Sequence, residues 1–340
     1  GSTYPWVFLF GLPLLFPQVN QYLFEWMNIH RTALEGEGVS RFDSSIWRLF
    51  GVFGSSSLEG SLHDRHEALL ENKLWFMNQV FWFVRLAFYG VGISFVIWFL
   101  RKLSTAQDTD PNPGTARLFK ARYHSNWPLI IFALTITFTG FDFVMALDYK
   151  WFSTMWGVYL FAGSALNSMA VIILVATWLK SKGHLKNVTG PEHFHIMGKL
   201  LFAFTVFWAY IAFSQYFLIW YANITEETSY FLIRNTGNWN TGMIALVVLH
   251  FVVPFVVLLQ AWLKRNPKYL SIVAVYTLCM HVLDHYLISI PERGVSLGNI
   301  KPEVFGGIAP SIPGAFWGDI LAFVTIGAAF IFFLIRALGQ

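Results

Sequence analysis

A chain of 340 residues that is 56% apolar, 19% aromatic and only 12% charged is not an ordinary soluble domain, in which about a quarter of the residues are charged. Its single cysteine, Cys279, excludes an internal disulfide, and without a C-x-x-C-H motif or a cysteine run the chain alone neither attaches a c-type haem nor ligates an iron–sulfur cluster. The net charge of +4 comes from lysines and arginines between apolar runs, which reports orientation in a membrane rather than nucleic-acid binding.

A membrane-crossing helix takes about 20 mainly apolar residues. By that ruler the sequence predicts an all-α polytopic membrane protein with about eight spans: a partial one at 4–17, then complete ones at roughly 74–100, 127–147, 154–179, 197–222, 241–263, 269–290 and 317–337. The opening GSTYPWVFLFGLPLLF lacks a basic leader and reads as the end of a helix whose start is missing. Residues 18–72 mix charge with apolar clusters and are expected to form interfacial helices or a docking surface; 73–340 is the membrane domain, with seven spans. The loops after the second, fourth and sixth spans are basic (Arg101, Lys102, Arg117, Lys120, Arg122; Lys180, Lys182, Lys186, Lys199; Lys264, Arg265, Lys268). The positive-inside rule makes them cytoplasmic, together with the C-terminus beyond Arg336.

In chain order, the second span puts Asn78, Arg85 and Tyr89 on one face. Arg85 sits too deep to reach the interface easily, so it needs a partner: a structural carboxylate, or a proton-carrying acid that it tunes. The third span aligns Thr135, Thr139 and Asp142 at i, i+4 and i+7. The threonines are expected to bond back to helix carbonyls, and Asp142 is either the partner of Arg85, a protonatable site, or both. In the fourth span Gly163, Ser164, Asn167 and Ser168 form a small-residue line suited to close helix packing. The fifth carries Tyr210, Ser214 and Tyr221 on one face, with Gln215 beside them. The sixth combines His250 with Pro254, which has no N–H for the His250 carbonyl and should kink the helix there.

The seventh span, YTLCMHVLDHYLISIP, is the most informative. His281, Asp284 and His285 at i, i+3 and i+4 share one helical face, and an acid within an apolar span costs about 2.5–3.5 kcal/mol on insertion scales. Asp142, Tyr210, Gln215, His250, His281, Asp284 and His285 all lie in the outer halves of their spans, which favours one polar pocket. Four uses are open. His250 and His281 suit bis-His haem ligation, but bulky neighbours crowd them; the acids and histidines suit a proton half-channel; an Asp–His pair suits quinol deprotonation, although the chain carries no electron acceptor; and the polar residues suit a scaffold role that only fixes packing.

The runs ENKLWFMNQVFWFVRLAFY (71–89), FTGFDFVMALDYKWFSTMWGVYLFAG (138–163), FAFTVFWAYIAFSQYFLIWYANITEET (202–228), HFVVPFVVL (250–258) and LDHYLISIP (283–291) resemble the NrfD-like, polysulfide-reductase-type integral membrane subunits of bacterial alternative complex III. The resemblance implies paired four-helix bundles with about ten spans in full, the bundle of the fourth to seventh spans being complete here. It also implies a place in a respiratory quinol:cytochrome c (or high-potential iron–sulfur protein) oxidoreductase of the bacterial cytoplasmic membrane. The implied partners are a sister NrfD-like subunit, an iron–sulfur subunit, multihaem and monohaem cytochrome c subunits and a terminal oxidase. Haem c and iron–sulfur clusters would belong to those partners, quinone or quinol to the complex, and no redox cofactor to this chain. In such complexes quinol oxidation falls to the sister subunit, and this chain most resembles the other, to which a proton path is ascribed. That implies proton roles for Asp142, His250 and Asp284, with Arg85 and Tyr210 in support. Thr225, where the family has proline, and His285 and Leu287, where it has a tyrosine–tryptophan pair about the tyrosine, leave open which side chain completes the outer end of the path.

Overall fold

The computed structural model describes Phe24, Lys73, residues 75–108, 115–148, 151–185 and 188–296, and short stretches between 321 and 336. Among the described residues all regular structure is helical. Six segments of the described residues are long and apolar enough to cross a bilayer: Gln79–Gln107, Phe119–Leu147, Trp156–Ser181, Pro191–Ala222, Trp239–Leu259 and Pro267–Pro291. Large apolar side chains such as Phe88, Val91, Leu129 and Phe213 stand mostly exposed on them, as expected of helices whose outer face meets lipid while their own bonds satisfy the backbone. The chain is a polytopic helical membrane protein. The expected second to seventh spans are all present with shifted ends; the expected span at 4–17 and segment 18–72, Phe24 apart, lie outside the described residues, as does most of 317–337.

The chain divides into two compact units, one drawn from 1–150 and 313–340, the other from 151–312. In the first, α1 (Gln79–Asp108) is followed by α2 (Ala116–His124), α3 (Asn126–Phe143) and a 3-10 turn at Met145–Leu147. Asn78 starts α1, its Oδ1 accepting the backbone N–H of Val80 at 2.9 Å. This satisfies one of the donors that a helix start leaves unpaired. α1 packs on α3, and Met77, Trp82, Ala146 and Phe24 form a buried core at that end.

In the second unit, α4 (Trp156–Ser181) packs against α5 (Pro191–Ala222) and α10 (Pro267–Ser296). α5 begins at Pro191 rather than near 197, because proline is pre-set for the first helical turn and the His193 imidazole accepts the Gly190 N–H at 3.1 Å. Leu166, Ala170 and Ile173 of α4, Phe194 and Leu201 of α5 and Leu270 and Ala274 of α10 belong to its core. Between α5 and α10 run α6 (Thr225–Arg234), α7 (Gly237–Leu246), a π-helical turn at Val247–Val252, α8 (Val253–Leu259) and α9 (Ala261–Arg265).

Two prolines interrupt these helices, and each is repaired from a neighbouring element. At Pro254 the helix slips into the i+5 register, Val253 N–H bonding to Val248 O. The carbonyl facing Pro254 is then Leu249 O, and Tyr276 of α10 donates its hydroxyl to it at 2.8 Å. The deprived carbonyl expected at His250 is therefore one residue earlier, and a π-turn takes the place of a simple kink. At Pro291, Leu287 O loses its i+4 donor; Arg234 of α6 donates Nε to Leu287 O at 3.2 Å and Nη2 to Ile288 O at 2.7 Å. Broken backbone persists at membrane depth only where protein or water satisfies it again.

Candidate functional site

In the second unit α10 carries Asp284, fully buried, facing α4 and α5. Tyr159 of α4 donates its hydroxyl to Oδ1, and Trp208 of α5 donates its indole N–H to Oδ2 at 3.1 Å. His281, one turn earlier on α10, places Nδ1 3.5 Å from Oδ2. Among the described residues no lysine or arginine pairs with Asp284. Its charge is answered by neutral hydrogen-bond donors and by an imidazole that is itself able to carry a proton.

The histidines extend from this acid. The His281 ring lies 4.3 Å from that of His285 and stacks at 5.8 Å and 24° with that of His250. His250 sits in the π-turn, with no exposed surface and the edge of Trp208 at 4.1 Å. Neither of its ring nitrogens has a hydrogen-bond partner among the described residues. Single π-turns within α-helices often sit at functional sites, and this one displays a buried, uncommitted imidazole. Gly163 of α4 is what lets His281 in: a Cβ at that position would collide with the imidazole Cε1 and lie 3.2 Å from Nε2. The small-residue line predicted on α4 thus serves at Gly163 to seat the histidine, whereas Ser168 bonds back to Ser164 O at 2.7 Å.

Beside the acid is a cavity of about 410 Å³. Trp156, Tyr159, Trp208, Tyr230 and Phe251 supply aromatic walls, and Gln215, Asn235 and Asn240 add amides. Tyr159 and Trp208 have a double position: their rings line the cavity and their polar atoms hold Asp284. Gln215 is 6% exposed and also accepts the Ser153 hydroxyl at 3.3 Å near the start of α4.

Asp142, in the first unit, is held differently. Arg85 donates Nε to Oδ2 at 2.8 Å and Nη2 to Oδ1 at 2.7 Å, and Tyr89 donates its hydroxyl to Oδ2 at 2.7 Å. Arg85 also donates to Phe76 O at 2.7 Å and lies over the rings of Phe76 and Phe81 at 3.9 and 4.4 Å. This two-pronged, cation–π-flanked pair matches the structural alternative for Arg85.

Of the residues singled out from sequence, the structure joins His250, His281, Asp284 and His285 in one group, and Arg85 and Asp142 in another. Tyr210 joins neither: it is 65% exposed, and Trp208, two positions earlier, faces Asp284 instead. Thr135 is buried, whereas the Thr139 hydroxyl is buried without a partner among the described residues and does not bond back to the helix; Thr137 does, to Ala133 O at 2.9 Å. Tyr159, Trp208 and Arg234 were not anticipated. In spans this rich in aromatics nothing local marks which ring turns inward, although the i−4 spacing of Leu287 from Pro291 signals that some donor must arrive there.

His281, Asp284 and His285 each offer one ligand atom, and these agree only to within 4.8 Å, against the roughly 3.4 Å between donors around a tetrahedral zinc. Both Asp284 oxygens already accept, from Tyr159 and Trp208, and His281 Nδ1 approaches the acid without a hydrogen bond to any described residue, so the trio is not arranged as a metal cage. Known protein-family models and curated proteins give no match to this chain.

Proposed function

We propose that this chain is an integral membrane subunit of a respiratory quinol:cytochrome c (or high-potential iron–sulfur protein) oxidoreductase of the alternative complex III type, and that it carries protons through the Asp284 network. The assignment to that complex, the bacterial cytoplasmic membrane and the cytoplasmic C-terminus rest on the resemblance of the runs quoted above and on the basic loops. The arrangement of four spans, α4, α5, α7 with α8, and α10, in one unit supports the complete bundle that the resemblance implies. The observation that carries the proton role is Asp284 itself: an acid without exposed surface, with no lysine or arginine partner among the described residues, linked to Tyr159 on one side and His281 on the other.

In this reading a proton reaches Asp284 through the Tyr159 hydroxyl from the cavity side. It passes over the 3.5 Å gap to His281 Nδ1 and leaves by way of His285, which is exposed, while His250 is a second acceptor behind Trp208. Each transfer needs groups whose proton affinities are close and whose separation is near hydrogen-bond length. No redox cofactor is assigned to the chain. For haem in particular, His250 and His281 stack on each other and are backed by Trp208 and Gly163, which leaves no porphyrin-wide slot between them.

The test is proton release per quinol oxidised by the complex reconstituted in vesicles. Asp284→Asn should abolish the share carried by this subunit while quinol oxidation continues uncoupled. Unchanged release would reduce the chain to a scaffold. The cavity favours one second reading, direct quinol binding: its aromatic walls and amides suit a flat ring with exchangeable hydroxyls, and Tyr159 would connect that ring to Asp284. Saturable binding of a quinone analogue that is lost in Tyr159→Phe supports that reading; binding that is absent, or indifferent to the change, excludes it.

A further inference from the structure

At the far end of α5 from Asn223, α9 packs against the first turns of the helix, and the contact gathers cations. Lys264 is 8% exposed, its Cβ and Cγ pressed to within 2.9 and 2.8 Å of where a side chain on Gly198 would begin, and its ammonium 5.6 Å from the Phe202 ring. Only a glycine at 198 admits that stem. A lysine that buries its stem and brings its amine to the edge is in the snorkelling arrangement found at membrane boundaries. Lys199 acts on Lys264 through its charge, and Lys199, Lys264 and Arg265 all act on His195. The one acid acting on this group among the described residues, Glu192, is engaged by Arg265 at 3.2 Å. With Glu192 taken by Arg265, Lys199 and Lys264 are left short of negative charge; burial, and after it the Lys199 charge, bring the Lys264 pKa below the ordinary lysine value. His195 Nδ1 is buried without a hydrogen-bond partner among the described residues.

The surroundings say what kind of anion is missing. On the same turns of α5, Ile196 and Leu200 are 55% and 42% exposed, an apolar flank beside the cations. Trp262 of α9 is exposed and packs edge-on against Tyr269 at 5.5 Å, the type of aromatic pair that sits at head-group level. α9 itself lies between two spans, after Leu259 and before Pro267.

We infer that this contact is a binding site for the phosphate of an anionic lipid, with Lys264, Lys199 and His195 around the head group and the acyl chains along Ile196 and Leu200. By the positive-inside rule the lipid belongs to the cytoplasmic leaflet, which is also the anionic one.

The site is tested with the full chain in phosphatidylcholine nanodiscs containing a minor share of phosphatidylglycerol, reading retained lipid by native mass spectrometry. Phosphatidylglycerol should be retained in preference. Lys199→Gln and Lys264→Met should each lower that preference about fivefold, as expected for one lysine at an anionic surface; Lys264→Met keeps the stem against Gly198, and Lys199 is exposed, so its replacement leaves the fold intact. Lys182→Gln, outside the group, should change nothing. Equal retention of the two lipids, or a preference that survives in the double variant, overturns the inference. Displacement of the bound lipid by millimolar inorganic phosphate overturns it too, by assigning the site to a free anion.

Discussion

Asp142 and Asp284 are both aspartates sunk in apolar helices, 2% and 0% exposed, and both accept a tyrosine hydroxyl. Their counter-groups separate them. Asp142 faces a guanidinium that cannot release its proton and grips both oxygens; Asp284 faces a phenol, an indole and an imidazole. A buried acid with a permanent cation is held as an ion pair, whereas one surrounded by neutral and titratable groups can exchange its proton with them. The comparison assigns structure to the first site and proton transfer to the second, although the sequence places the two acids at similar depth in comparable spans.

Breaking the pair at Asp142 should have the largest effect on stability. Arg85→Met leaves a buried carboxylate without its counter-ion, with only the Tyr89 hydroxyl among the described residues still donating to its side chain, and should cost about 3–5 kcal/mol, read as a lower unfolding midpoint in detergent; adding Asp142→Leu should recover most of that loss. Asp284→Asn keeps one acceptor oxygen, for Tyr159, and turns a donor amide toward the Trp208 N–H, so it should cost about 1–3 kcal/mol, less than Arg85→Met, yet slow proton transfer by about a hundredfold or more, measured as proton release in reconstituted vesicles. The same two readouts exchange sensitivities between the two sites.

Smaller changes sharpen the contrast. Gly163→Val drives a side chain into the His281 ring and should cost about 1–3 kcal/mol, with proton transfer impaired because His281 moves off Asp284; Gly92→Val, where a Cβ meets nothing within 4 Å, is the matched control. Tyr276→Phe removes the donor to Leu249 O in the π-turn and should cost about 0.6–1.7 kcal/mol, the range for hydrogen bonds between membrane helices. Tyr210→Phe should be silent, within about 0.5 kcal/mol and with unchanged proton release, since that hydroxyl faces outward.

Much of this arrangement was legible in the sequence. Apolar runs of about 20 residues located the second to seventh spans, because backbone in lipid has few options other than a helix. The pairing of Arg85 with an acid followed from the cost of an unpaired buried cation, and the i, i+3, i+4 spacing put His281, Asp284 and His285 on one face. What escaped was rotation and register. Tyr210 and Trp208 are two positions apart, about 200° around a helix, and in an aromatic-rich span polarity does not say which of them turns inward. Pro254 signals a break at this place but not its form: the π-turn moved the deprived carbonyl from His250 to Leu249, where Tyr276 of α10 meets it. Arg234, at the end of the short helix α6 between two spans, carries no local signal that its side chain serves the carbonyls before Pro291.

The claim that Asp284 is the exchanging acid and Asp142 the fixed one is tested most directly by pH-difference infrared spectroscopy of the chain in membranes, following the protonated-carboxyl stretch. The account predicts a titrating band that disappears in Asp284→Asn and persists in Asp142→Asn. A band that survives in Asp284→Asn and vanishes in Asp142→Asn would contradict it.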